Sequence, residues 1–240
     1  MNMCLAPWEV VCDCRPRRAA EQMALAERAA RALRPQARVF TWESPAISWG
    51  WKQPLPGWLA RLRETGDQSG VALVERPTGG GIAWHGSDVA LSVTAPLAAG
   101  WRLALLMQAV CDTAARLCRR WGPVAEIMRD APGGGRIECC LAEASDYAVL
   151  AGGRKMAGFA ARRYADAWLV QGSLLVQPLP EAIRRLVPAA TLAATDRSAI
   201  SLAEAAGCPV APAAAARDWA AAWIAWMGGA LDEQGLAHAL

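Results

Sequence analysis

Short apolar strand patterns separated by glycine turns run through the middle and second half of the chain and constrain its fold most. Residues 71–74 lead into three consecutive glycines, and residues 89–93 form the next strand pattern. Further along, residues 147–150, 154–158 and 168–176 alternate strand patterns with turn residues. Such patterns are typical of adjacent antiparallel strands. We therefore expect a mostly antiparallel sheet.

Helical patterns flank these strands. In residues 19–33, apolar side chains recur at helical spacing opposite arginine and glutamate, and residues 101–121 form a second amphipathic pattern. Further helices are predicted at 56–64, 200–206 and 213–231, two more strands at 38–42 and 46–50 joined at Ser44-Pro45, and a glycine turn at 133–135. Helices beside a mostly antiparallel sheet define the α+β class.

Composition excludes several classes of protein. The 240 residues are 54% hydrophobic, so residues 1–240 can form one domain without disulfides or metals, and we expect no accessory C-terminal domain. A net charge of +3 without a basic stripe argues against nucleic-acid binding. The first residues show neither the positive stretch nor the apolar run of a signal peptide, and no stretch approaches about 20 apolar residues, so we expect neither an export signal nor a membrane span. We expect a cytoplasmic protein.

The cysteines and histidines do not suggest a metal centre. Eight cysteines occur in a chain of full domain length without an export signal, so we expect mostly free thiols. Cys111 and Cys118 lie two turns apart on a predicted helix, where cysteine behaves as a small hydrophobe. With only His85 and His238 as histidines and no paired CxxC, a zinc site has little to build from. We predict no metal site.

The segment of residues 76–81, here called the glycine loop, is the first candidate for chemistry. Gly79-Gly80-Gly81 lets the backbone approach a ligand closely and turn its N–H groups towards a phosphate or an acyl carbonyl. A tight hairpin turn is the structural alternative. Arg76 before the glycines and His85 after them are polar groups in an apolar segment, and His85 is either a structural hydrogen-bonding residue or a catalytic one.

Lys155 is the second candidate. It is one of only two lysines in a chain rich in arginine, and a glycine turn delivers it into a strand of small and apolar residues. An exposed hairpin lysine is the alternative to a functional one. A buried ammonium could hold a carbonyl or phosphoryl oxygen and stabilise the charge that develops during acyl transfer.

Cys139-Cys140 is the third candidate, about fifteen residues before Lys155. Adjacent cysteines are more often packed than reactive. If one reacts, the nearby cation of Lys155 lowers its pKa, and the thiolate can carry an acyl group as a thioester.

Together these segments resemble the lipoate–protein ligase and lipoyl/octanoyl transferase superfamily, which is related to biotin protein ligases. Residues 42–50 are similar to its early strand pair, and residues 76–85 to its R-x-[ST]-G-G-x-A-x-x-H loop. Residues 153–158 are similar to its G-[RK]-K-[IV]-[AS]-G motif, and residues 171–175 to its H-G-[ST]-L-L strand. The resemblance covers nearly the whole chain and implies the α+β fold of the biotin/lipoate ligase catalytic domain.

The resemblance implies that Lys155 contacts the acyl carbonyl of an octanoyl or lipoyl substrate. It assigns substrate binding to Arg76, Thr78, Gly79, Gly80, Gly81, His85, Gly158, Gly172 and Ser173. The acceptor would be the lysine of a lipoyl domain or an H-like protein. No permanently bound cofactor is expected.

The family divides at the step that activates the acyl group. In the cysteine-dependent octanoyltransferases, acyl carrier protein loads a cysteine, and Cys140 stands at their spacing from the lysine motif. In the ligases, ATP and Mg²⁺ form an acyl adenylate, and Gly81 is the ligase choice. Tyr147-Ala148 replaces the ligases' Asn-Asp pair. Transfer through Cys140 is therefore the first hypothesis.

Two further hypotheses stay open. The first is ATP-dependent ligation, by this chain alone or with a separate accessory chain. The second is an inactive homologue that binds lipoyl domains, and it rests on the departures from the family pattern at Gly86, Ala148 and Gln171.

Overall fold

A computed structural model describes residues 8–66, 70–129, 131 and 138–234, with side chains described as far as residue 228. Its strands are β1 Glu9–Arg17, β2 Gln36–Trp42, β3 Ala46–Trp49, β4 Ala72–Glu75, β5 Ala83–His85, β6 Asp88–Pro96, β7 Glu126–Met128, β8 Ala148–Ala151, β9 Arg154–Arg163 and β10 Ala167–Leu175. Its helices are α1 Ala19–Arg31, α2 Gly57–Thr65, α3 Leu103–Arg120, α4 Glu181–Leu186, α5 Ala189–Ser198, α6 Leu202–Ala206 and α7 Pro212–Gln234.

The strands form two sheets. Seven strands lie in the order β1-β2-β6-β10-β9-β8-β7, and three lie in the order β4-β3-β5. Among the strands that the structure describes, the pairs β1–β2 and β3–β4 are parallel and the others antiparallel. The predicted α+β class and mostly antiparallel sheet are therefore confirmed, and β8, β9 and β10 are the antiparallel neighbours that the turn pattern predicts.

Several elements differ from the prediction. Strands β2 and β3, predicted as a consecutive pair joined at Ser44-Pro45, lie in different sheets. Strands β1 and β7 and helices α4 and α5 were not predicted. Strand β1 shows no alternation of buried and exposed residues and contains Pro16, as an edge strand can, and this hides its pattern. The glycine turn predicted at 133–135 lies outside the described residues.

The main core lies between the seven-stranded sheet and helices α3 and α7. Trp219 and Trp223 of α7 are completely buried there, and the Trp219 indole N–H donates to the Thr113 hydroxyl of α3 at 3.2 Å. A second core cluster, which includes Ile47 and Trp84, packs the smaller sheet against α2 and α4. Because β5 of the smaller sheet runs directly into β6 of the larger one, residues 85–88 lie where the two sheets meet.

The seven described cysteines are all free thiols. Burial raises the pKa of Cys111 and Cys118 to about 12, as expected of cysteines that act as core hydrophobes. Within the described ranges, no three His, Cys, Asp or Glu residues are grouped to hold a metal ion. None of the helices described is long and apolar enough to cross a membrane.

We expect Trp219→Ala to lower the free energy of unfolding by about 3–5 kcal/mol, because it empties a core position and removes the bond to Thr113. Ile224→Ala is the matched control on the same helix, since Ile224 is 60% exposed, and it should change stability by less than about 0.5 kcal/mol. Denaturant unfolding of both variants measures the difference, and equal effects would contradict this packing of α7.

Candidate active site

The glycine loop is held in shape by the buried guanidinium of Arg76. Its Nη2 donates to the Gly79 carbonyl at 2.9 Å and to the Gly81 carbonyl at 2.5 Å. The loop also approaches Gly50 closely, because a Cβ at position 50 would overlap the carbonyl group of Gly80. The missing side chain at Gly50 therefore lets the loop reach its position.

A chain of buried hydrogen bonds anchors Arg76 from behind. Its Nη1 donates to the Ser48 hydroxyl at 3.1 Å, which lies 2.8 Å from His85 Nε2. His85 Nδ1 in turn lies 2.8 Å from Asp88 Oδ2, and the ring stacks on Trp42 at 4.0 Å. Both ring nitrogens of His85 are thus occupied, so this geometry favours the structural hydrogen-bonding alternative for His85.

A second link ties the glycine loop to β10. The Thr78 hydroxyl donates to Gln171 Oε1 at 2.9 Å, and Gln171 Nε2 lies 3.6 Å from Met23 Sδ. All three side chains are buried. Gln171 therefore ties the glycine loop to β10 and α1.

Lys155 is buried, with only 3% of its surface exposed, so the exposed-hairpin alternative is excluded. Its Nζ donates to the Ser145 hydroxyl at 2.7 Å and to the Glu143 carbonyl at 3.2 Å. It has no carboxylate partner among the residues that the structure describes. A desolvated cation held by neutral oxygens is ready to stabilise an oxyanion.

Cys140 and Lys155 meet at Gly158. A Cβ at position 158 would lie 2.8 Å from Cys140 Sγ, 3.1 Å from Lys155 Cε and 3.4 Å from Lys155 Nζ. Backbone bonds fix the cysteine there, because the Ile82 N–H donates to the Glu138 carbonyl and the Cys140 N–H to the Ile82 carbonyl. The thiol and the ammonium are therefore brought together around a position without a side chain.

The two adjacent cysteines have different environments. Cys139 is 3% exposed and points towards Thr195, and burial raises the pKa of its thiol. Cys140 is half-buried and lines a pocket. Burial also lowers the pKa of the Arg76 guanidinium to about 10, against the opposing effect of negative charge on Cys140. Arg76 thus stays charged at neutral pH within electrostatic reach of the Cys140 sulfur.

This pocket, the glycine-loop pocket, holds about 620 Å³ of empty space, part of it open to solvent. Its apolar part is formed by Met23, Phe40, Trp42, Ala90 and Leu91, and the other lining residues include Cys140, Ser145, Phe159, Ala160 and Gln171. Apolar walls with a few polar groups at one end suit a ligand that has an apolar chain and a polar head.

The structure brings most of the predicted site residues to this pocket. Arg76, Gly80, Gly81, His85, Cys140, Gly158, Gly172 and Ser173 line it. Thr78 and Gly79 do not line the pocket but hydrogen-bond to two residues that do, Gln171 and Arg76. Lys155 lies beside Gly158 and lines an adjoining pocket. Sequence reasoning missed Ser48 and Asp88. The sequence marks them only as polar residues within strands that are mostly apolar and buried.

An apolar pocket with a buried lysine and a thiol beside it suits a protein that handles an acyl group. Residues 18–222 match the family model described as the lipoyl protein ligase A/B catalytic domain. The chain therefore belongs to the lipoyl protein ligase A/B catalytic domain family, and the predicted family is confirmed.

Individual relatives agree with this assignment. The octanoyltransferase LipM of Symbiobacterium thermophilum is 32% identical over 216 residues, which cover 81% of this chain and 75% of that protein. The octanoyltransferase LipM of Moorella thermoacetica is 32% identical over 59% of this chain and 54% of its own length. A chain from the structural analysis of a bipartite lipoate protein ligase and its E2 lipoyl domain of Thermoplasma acidophilum shares the fold, with a TM-score of 0.61 at 17% identity, over 94% of this chain and 85% of that chain.

We expect Gly50→Ala to lower the free energy of unfolding by about 1–3 kcal/mol, because its methyl group would displace the glycine loop. Gly79→Ala is the matched control, since a Cβ there would meet nothing within 4 Å, and it should change stability by less than about 0.5 kcal/mol. Denaturant unfolding of both variants checks this. A tolerated Gly50→Ala would mean that the loop does not pack on position 50.

Proposed function

We propose that this protein is an octanoyltransferase that moves an octanoyl group from acyl carrier protein to the lysine of a lipoyl domain or an H-like protein, through a thioester on Cys140. One observation carries this proposal. Cys140 Sγ and Lys155 Nζ both lie within 3.4 Å of the place that a Cβ at position 158 would take. The names of the two LipM relatives support transfer of an octanoyl group.

In the first step, the Cys140 thiolate attacks the carbonyl carbon of the octanoyl thioester. Charge develops on the carbonyl oxygen, and the ammonium of Lys155 is the group that stabilises it. The carbon–sulfur bond to the carrier breaks, and the carrier thiolate leaves and takes up a proton. The octanoyl chain lies along the apolar wall of Phe40 and Trp42.

In the second step, the acceptor lysine attacks the Cys140 thioester as a neutral amine. The amide bond forms, the bond to Sγ breaks, and the amine gives up a proton as the thiol is restored. A thioester already carries an activated acyl group, so this route consumes no ATP. Lys155 stabilises the oxyanion of both steps from one position.

ATP-dependent ligation of lipoate or octanoate is the alternative, and the ligase-type residue Gly81 favours it. In that case ATP and Mg²⁺ would be needed, and a separate accessory chain could take part. Against it, the buried Ala148 of β8 stands where the ligases carry a carboxylate. Release of pyrophosphate from ATP that depends on lipoate would establish ligation. A homologue that only binds lipoyl domains would leave their lysine unmodified, both with octanoyl carrier protein and with ATP and lipoate.

We place the reaction in the cytoplasm, where thiols stay reduced. The seven described cysteines are free thiols, and the proposed reaction needs Cys140 in its reduced form. Both points support this location.

We expect Cys140→Ala to abolish both the octanoyl adduct and transfer to an acceptor domain, since it removes the nucleophile. Intact-mass spectrometry after incubation with octanoyl carrier protein detects the adduct. Cys139→Ala is the matched control, because its thiol is buried and points towards Thr195, and it should keep both. Undiminished transfer by Cys140→Ala would rule out the thioester route.

We expect Lys155→Ala to slow transfer on the order of 100- to 1,000-fold, the cost of losing one oxyanion-stabilising group. The variant should stay folded, since Lys155 has no carboxylate that its removal would leave unpaired within the described residues. Thermal unfolding and single-turnover acylation separate the two effects. Retained activity in a folded Lys155→Ala variant would contradict the assigned site.

A further inference from the structure

A second pocket, here called the Arg197 pocket, lies on the other side of Lys155, between strands β7 and β8 and the C-terminal end of α5. It holds about 590 Å³ of empty space, part of it open to solvent. Its lining residues are Met128, Glu143, Ala144, Ser145, Ala148, Leu150, Gly153, Lys155, Arg197 and Ser198. The octanoyl chain described above does not use this space.

Two cations, Lys155 and Arg197, and one carboxylate, that of Glu143, line this pocket. Lys155 donates only to neutral oxygens, and Arg197, at the end of α5, has no ion-pair partner within the described residues. The acidic side chains nearby are engaged elsewhere. The Glu143 carboxylate accepts from the amides of Glu138 and Cys139, and the Asp196 carboxylate pairs with Arg184. The two cations of the lining outnumber its one carboxylate, so the pocket favours an anionic ligand.

The two pockets adjoin at the reacting atoms. Ser145 lines both, and its hydroxyl accepts the hydrogen bond from Lys155 Nζ. Cys140 lines the glycine-loop pocket beside this partition. A thioester whose carbonyl lies at Cys140 and Lys155 can place its acyl chain in one pocket and its leaving thiol in the other.

We propose that the Arg197 pocket binds the phosphopantetheine arm of the acyl donor, with Arg197 on its phosphate. This inference rests on the proposed function and assigns the donor side of the same site. The arm carries a thiol at one end, two amides along its length and a phosphate at the other end. Ser145 and Ser198 offer hydroxyl partners for the amides.

The chemistry balances along this path. The Cys140 thiolate bonds to the acyl carbon, the bond from that carbon to the pantetheine sulfur breaks, and the pantetheine thiolate leaves with the electron pair. It then takes up a proton from solvent. Because the leaving thiol lies in the Arg197 pocket, it departs without displacing the acyl chain.

The test measures the rate at which Cys140 is acylated by four donors. Octanoyl carrier protein and octanoyl coenzyme A carry the phosphate of the phosphopantetheine arm, and octanoyl-pantetheine lacks that phosphate. The fourth donor, p-nitrophenyl octanoate, lacks the whole arm. We expect Arg197→Ala to reduce kcat/KM about tenfold for the two phosphate donors, the worth of one charged contact, and to leave the other two unchanged. Arg185→Ala is the control, since Arg185 is exposed on α4 and pairs with Glu181.

A second variant, Ser198→Trp, fills the pocket. We expect it to block all three pantetheine donors and to leave acylation by the p-nitrophenyl ester intact, which also shows that the variant is folded. If Arg197→Ala slows acylation by octanoyl carrier protein but not by octanoyl coenzyme A, Arg197 contacts the protein surface of the carrier. That result would overturn the phosphate contact. Equal rates for wild type and both variants would overturn the pocket assignment.

Failure of the proposed function has a different signature. Wild-type protein that none of the four donors acylates on Cys140, but that forms an acyl adenylate from ATP and octanoate, would be a ligase. The donor-arm assignment would fall with the transferase proposal in that case.

Discussion

The missing side chain at position 158 is the constraint on which the proposed chemistry depends. The space that a Cβ would take is filled by Cys140 Sγ on one side and the end of the Lys155 side chain on the other. Any larger residue would push the thiol and the ammonium apart. Lys155 is buried, and its partners within the described residues are neutral oxygens, so its charge remains available to a substrate oxygen.

The sheet topology supplies the walls around this point. Strand β10 lies between β6 and β9, so Gly172 stands opposite Phe159, where a Cβ would overlap the phenyl ring. On the other side, the buried chain of hydrogen bonds from Asp88 to Arg76 fixes the glycine loop. Hydrogen bonds in such a network are strong only when every member is satisfied. The apolar pocket is therefore rigid on the side that faces the thiol.

The family, the fold class and the polar end of the pocket could be predicted from the sequence because they rest on unusual residue types: a triple glycine, a scarce lysine and a glycine turn. The apolar wall of the pocket was not predicted, because its residues come from α1, β2 and β6 and are ordinary core types. The role of His85 could not be predicted either, since it depends on Ser48, which is distant in sequence and unremarkable in type. Strand β1 was missed because an edge strand needs little apolar alternation. The Arg197 pocket was missed because α5 comes near Lys155 only in the folded chain, where the segment just after α5 is held by the bond from the Ile200 N–H to the Lys155 carbonyl.

The central claim, a thioester on Cys140 that is competent for transfer, is tested most directly by a chase of the isolated octanoyl-enzyme. The enzyme is loaded, freed of donor and ATP, and mixed with an acceptor lipoyl domain, and both proteins are followed by peptide mass spectrometry. The account predicts that the octanoyl group disappears from the peptide containing Cys140 and appears on the acceptor lysine. An adduct that stays on the enzyme, or transfer that requires added ATP, would contradict it.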